Sequence, residues 1–171
     1  MKDLRAAILK EHSKPQAARI ANWIGKSQTR FDQLFKLFLN DEYRVVQRSA
    51  WPLSIAVLNH PPLIQKHYGP LIKKMLQPGV HDAVKRNALR LLQDLSVPAR
   101  HQGPLMDACF RYIADPKEKA AIKAFSLTIL EHLANDYPDI RPELRSIIED
   151  RFEDESPAFR SRARKILRRL G

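Results

Sequence analysis

The chain has 171 residues, 44% hydrophobic and 29% charged, the make-up of one folded domain and not of a disordered segment. It has 5 Gly against 12 Pro, 21 Leu and few β-branched residues, so it lacks the turn chemistry of a β barrel or sandwich, and helices remain. A single cysteine, Cys109, excludes an intramolecular disulfide framework and a zinc cluster built on thiolates, and fits a reducing compartment.

Charge interrupts the first residues, Met1-Lys2-Asp3-Leu4-Arg5, where a signal peptide needs an apolar stretch. No segment nears the roughly 20 apolar residues that span a bilayer. A cytoplasmic protein without membrane insertion is therefore expected. The formal net charge of +11 is uneven: residues 1–93 hold 16 Lys/Arg against 6 Asp/Glu, residues 94–159 hold 8 against 13, and residues 160–171 hold 6 against none. A field of one sign over more than half the chain points to an anionic partner such as nucleic acid.

In chain order, successive helical stretches share a pattern: a small residue with an apolar residue four places before it and another three after it. A loose copy is Ala17-Ala21-Ile24. Closer copies are Val46-Ala50-Leu53, Val84-Ala88-Leu91, Ala120-Ala124-Leu127 and Phe159-Ala163-Ile166. Offsets of −4, 0 and +3 lie on one helix face, and the alanine lets a neighbouring helix come close. The last four anchors fall 38, 36 and 39 residues apart, the length of a two-helix repeat. The partner helix of each pair is marked upstream by Pro70-Leu71, Pro104-Leu105 and Pro142-Glu143-Leu144, with proline expected at the first helical position. Polar turns at Asn40-Asp41, Pro78-Gly79, Asp115-Pro116 and Asp154-Glu155-Ser156-Pro157 read as helix starts.

These residues resemble the HEAT repeat family: Gly103-Pro104-Leu105 through Ile113-Ala114-Asp115-Pro116 to Ala120 and Ala124 is similar to its Pro, Leu-Leu, Asp-Pro and Val-Arg-x-x-Ala pattern. The resemblance implies an all-α fold, a right-handed α-α superhelix or α-solenoid of about five helix pairs. One repeat domain over 1–171 is expected, with repeats at 1–25, 27–59, 61–95, 98–134 and 137–171. Tyr43-Arg44-x-x-Gln47-x-x-Ala50, with Leu37-Phe38 before it and Leu53 after it, is also similar to a repeat of the DNA alkylation repeat proteins, a HEAT-like family that includes base-excising glycosylases. Their catalytic signature pairs tryptophans with an aspartate at the start of the next repeat. Here that stretch, Pro62 through Gly69, has neither.

In a stacked array the side of the second helices opposite the core lines the concave surface. Two residues before the anchors stand Arg19, Arg48 and Arg86, then Ile122 and Ser161; Lys26, Arg44 and Arg90 lie near the same face. Arg19, Arg44, Arg48, Arg86 and Arg90 would hold phosphates as charge-assisted donors. The alternative is pairing with acids on neighbouring turns, for which Asp41, Glu42 and Asp82 are the nearby candidates. Trp51 either stacks bases on this face or fills the core between repeats, and Trp23 either stands beside Arg19 or caps the first repeat. The arginines of 160–169 surround their helix, as a solvated terminal cap does.

No histidine pair has metal-ligand spacing, and neither a glycine-rich phosphate loop nor a Gly-x-Ser-x-Gly elbow occurs, so no catalytic residue, metal or cofactor is expected. Cys109, beside Met106, Phe110 and Ile113, reads as a buried inert thiol. The expectation is a monomeric, non-enzymatic scaffold that binds DNA or RNA. The alternative is an adaptor for an acidic or amphipathic protein segment, with Ile122 and Phe125 extending the groove. A glycosylase without the usual signature is the minor alternative.

Overall fold

In a computed structural model, which describes Met1 and residues 3–170, the described residues form ten α-helices and three 3-10 segments, without strands. The chain divides into two compact units, residues 1–87 and 88–171. Ten helices in sequence are the number that about five two-helix repeats require.

The first unit opens with a short helix α1 (Leu4–Lys10), followed by α2 (Lys14–Ile24). Then come α3 (Gln28–Asn40), α4 (Tyr43–Asn59), the 3-10 segment Pro61–His67 and α5 (Tyr68–Met75). Helix α6 (Asp82–Leu92), whose residues from 88 onward belong to the second unit, begins after a turn in which Gly79 takes a φ of +70°, a left-handed value that favours glycine. Three starts use side-chain caps that relieve orphan backbone N–H groups. Asp3 Oδ1 accepts from Ala6 N at 3.0 Å, Ser13 Oγ from Gln16 N at 3.2 Å, and Ser27 Oγ from Arg30 N at 3.4 Å.

The start of α4 works differently: Glu42 precedes it without a side-chain cap bond, and Asp41 instead accepts the Glu42 N–H at 2.8 Å while pairing with Arg5. Helices α1, α2 and α3 all pack on α4. Its buried face is accordingly wide, holding Val45, Val46, Ser49, Pro52, Leu53, Ala56 and Val57. The centre of that face lies at Ser49 and Leu53, so the anchor Ala50 is only half-buried, whereas Ala21, Ala88, Ala124 and Ala163 are buried. Pro52 sits inside α4 without ending it.

The second unit contains α7 (Ala99–Ala114), α8 (Ala120–Asp136), α9 (Arg141–Arg151) and α10 (Pro157–Leu170). Pro104 does not open α7; the helix begins five residues earlier. Proline is tolerated there because residue 104 is exposed, so the carbonyl it leaves unpaired is within reach of water. Ser156 Oγ accepts from Phe159 N at 3.2 Å and caps α10, while Asp115 accepts from Lys117 N at 2.8 Å in a turn and does not cap α8. Both α7 and α10 pack on α8, which buries two sides of that helix. Ile122 is completely buried as a result, and so is Lys123, at 1% exposure.

Candidate functional site

The five arginines and Trp51 fall on the outer stripes of three second helices. On α4 the positions Arg44, Arg48, Trp51, Ile55 and Leu58 follow steps of four and three residues along one face, opposite Val46, Ser49 and Leu53. On α2 the exposed stripe carries Arg19 and Asn22, and α6 carries Arg86, half-buried, in the same place relative to its anchor. Helices α2 and α4 are packed together. Arg90 is exposed in the last turn of α6 and belongs to the second unit.

The nearby acids have other partners. Arg5, from α1, contacts Asp41 and Glu42, each at 3.1 Å, and its hydrogen bonds hold the Asp41 carboxyl below its ordinary pKa. Asp82 lies 3.8 Å from Lys85 one turn on. Arg19, Arg44, Arg86 and Arg90 form no ion pair with a described carboxylate. An arginine without a carboxylate is a fork of donors matched to phosphate.

Arg48 has a structural task besides its charge. Its Nη1 donates to the Leu9 carbonyl oxygen at 2.7 Å, satisfying one of the last carbonyls of α1 and binding α1 to α4. Beside it, the ring of His12, between α1 and α2, meets Trp51 at 5.8 Å and 67°. Trp51 is 37% exposed, so it is not core filler between repeats: it stands at the middle of the solvent stripe of α4. Trp23, by contrast, is half-buried under the Arg30 guanidinium, 4.9 Å from the ring centroid, and Arg30 also donates to the Trp23 carbonyl.

The equivalent stripe in the second unit has a different character. Ile122 is buried, so it does not extend a groove, and Phe125 is half-buried with the Arg162 guanidinium 5.3 Å from its ring centre. Among the terminal arginines, Arg169 pairs with Glu131 and Arg164 lies over Phe152. The Lys123 ammonium is buried in a short contact with Glu155, which also accepts from Arg151 at 3.0 Å.

Two further groups could carry chemistry. His67 Nε2 and Asp32 Oδ1 are 2.7 Å apart, with Lys66 Nζ 2.6 Å from Asp32 Oδ2 and Gln28 Nε2 2.9 Å from Oδ1. Burial alone would raise the Asp32 pKa, but the bonds from Lys66, Gln28 and His67 outweigh it and hold the carboxyl at about 2. Burial lowers the His67 pKa against the pull of Asp32, and its ring lies 4.1 Å from that of Phe35. The group joins α3 to the following 3-10 segment. Within residues 62–69, where the glycosylase signature would stand, Leu63, Ile64, His67 and Tyr68 are buried. Cys109 is buried, and desolvation pushes its thiol up to about 12, so it stays protonated. Among the described residues no group of three His, Cys, Asp or Glu side chains is placed to hold a metal ion, and no helix is long and apolar enough to cross a membrane.

The model of the HEAT repeat domain matches residues 4–170. The chain belongs to the HEAT repeat family. This match covers all ten helices and does not extend to the DNA alkylation repeat proteins in particular. No curated protein and no solved structure matches the chain. In a HEAT array each repeat is one helix pair that buries its apolar face against its neighbours, leaving the opposite faces for partners. The stripes of α2, α4 and α6 are faces of this kind.

Proposed function

We propose that this HEAT-repeat protein is a non-enzymatic cytoplasmic scaffold whose N-terminal unit binds nucleic acid through the outer stripes of its second helices. Arg19, Arg44 and Arg86 contact phosphates, and Arg48 adds charge while holding α1. The observation that carries this reading is the pairing pattern: Asp41 and Glu42 pair with Arg5 and Asp82 lies nearest Lys85, so Arg19, Arg44 and Arg86 have no described carboxylate partner. Contacts of this kind position a backbone and read no sequence. Titration of labelled DNA and RNA at low salt is expected to give saturable binding that weakens with added salt. Binding unchanged by Arg44→Glu with Arg86→Glu would refute the reading.

A second reading rests on Leu58, 61% exposed on the same face as Trp51 and Ile55. With Arg44 at one end and Leu58 at the other, α4 offers charge and apolar surface to an amphipathic acidic segment. A pull-down with and without nuclease separates the two. Recovery of partners that survives nuclease favours the adaptor, and recovery lost with nuclease favours nucleic acid.

A further inference from the structure

We infer that the site prefers single-stranded over double-stranded nucleic acid, with Trp51 as the platform on which an unpaired base stacks; this rests on the nucleic-acid reading above. The reasoning begins with the aromatic side chains of the first unit. Phe31, Phe35, Phe38 and Tyr68 are buried. Trp23 is covered by Arg30, and the exposed Tyr43 lies against the His81 ring, 4.6 Å between centroids at 37°. Trp51 is the exposed aromatic whose described ring contact is steep: His12 meets it at 67°, which orients the indole without a parallel ring stacked on it.

Its place on α4 is as informative as its exposure. Arg48 comes three residues before it and Arg44 seven, both on the same face, so phosphates held there bring neighbouring bases to the indole. A duplex keeps its base faces inside its own stack and offers a flat protein face only phosphates and groove edges, leaving the indole without a base partner. A single strand offers phosphates and base faces together, and stacking on an aromatic adds affinity without demanding a sequence. The apolar surface of Ile55 and Leu58 continues the face past Trp51 and suits the next base. An indole already oriented by His12 and by the α1 anchor of Arg48 loses little freedom on stacking.

The test compares a short unstructured DNA strand with a duplex of the same length by fluorescence anisotropy, using the whole chain. The strand is expected to bind about tenfold more tightly than the duplex. Trp51→Leu, which keeps an apolar side chain but no ring, should lower strand affinity about tenfold and leave duplex affinity unchanged, while Trp51→Phe restores most of it. Unchanged duplex binding and an unchanged thermal melt show that the variant is folded. In a Trp23→Phe protein, where Trp51 is the remaining indole, its emission should be quenched on adding the strand. Equal affinities for strand and duplex, both falling with salt and both indifferent to Trp51→Leu, would overturn the single-strand inference and leave the nucleic-acid reading in place. Absence of binding to either, with capture of an acidic amphipathic peptide instead, would overturn both.

Discussion

The two units repeat one pattern and use it in opposite ways. Two residues before the small anchor, the first unit carries Arg19, Arg48 and Arg86, which are exposed or half-buried. At the same place in α8 stands Ile122, completely buried, followed by Lys123, whose charge is sealed against Glu155. The difference lies in which sides the neighbours cover: α8, between α7 and α10, has buried residues on nearly all sides, whereas α1, α2 and α3 pack on α4 and leave a stripe of exposed and half-buried residues from Arg44 to Leu58. Arg19, Arg44 and Arg86 of the first unit have no described carboxylate partner, while several cations of the second unit, Lys123, Arg151 and Arg169 among them, hold the protein itself together.

The largest effect is expected where a charge is sealed inside. Glu155→Ala leaves the Lys123 ammonium buried without its counter-charge and should cost about 3–5 kcal/mol in denaturant unfolding, whereas replacing both with apolar residues of similar size should cost much less. If the single change proves as mild as a surface substitution, the inward role of the second unit is wrong.

Next comes the outward role of the first unit. Arg44→Glu with Arg86→Glu should reduce nucleic-acid affinity about 100-fold at low salt while changing folding stability by no more than about 0.5 kcal/mol. Arg145→Glu, in the second unit and already 3.4 Å from Glu149, should leave affinity nearly unchanged. Similar losses from both would erase the contrast.

A smaller effect is set by pH. Folding lowers the His67 pKa below its ordinary 6.5, so the unfolded chain takes up that proton more readily; the stability His67 contributes is complete above pH 6.5 and declines as the solution is acidified. Asp32, lowered from 3.8 to about 2, contributes above pH 3.8, and that part is lost as pH falls through about 2. Thermal melts should therefore fall first below pH 6.5 and again below pH 3.8. His67→Gln is expected to remove the first decline and keep the second.

The smallest effect concerns α4. Among the described residues the buried Ser49 hydroxyl has no hydrogen-bond partner, so Ser49→Ala should leave stability unchanged or raise it by up to about 1 kcal/mol. A loss of several kcal/mol would mean that the hydroxyl has a partner in solution.

The helix pairs were legible because apolar spacing and alanine anchors report directly on which face is buried. The stripe was only partly legible. Offsets from an anchor give a direction around one helix, but exposure depends on which of its sides the neighbours cover. This is why Arg19 is open and Ile122, at the same offset, is not. Trp51 was ambiguous for a related reason: a residue next to the anchor points sideways, and whether sideways means core or solvent is decided by the placement of α1 and α2 on α4. The bond from Arg48 to Leu9 and the contact between His67 and Asp32 join residues 39 and 35 positions apart, a distance over which periodicity carries no signal.

The claim that the first unit presents free cations to a polyanion is tested most directly by the salt dependence of binding. Each phosphate contact releases bound counterions, so the logarithm of affinity should fall linearly with the logarithm of salt concentration. Removing Arg19, Arg44 or Arg86 singly, by change to Gln, should reduce that slope by about 1 each. A steep slope in the native protein that flattens stepwise with these substitutions is the result predicted. A slope near zero, or one that none of the three alters, would contradict the account.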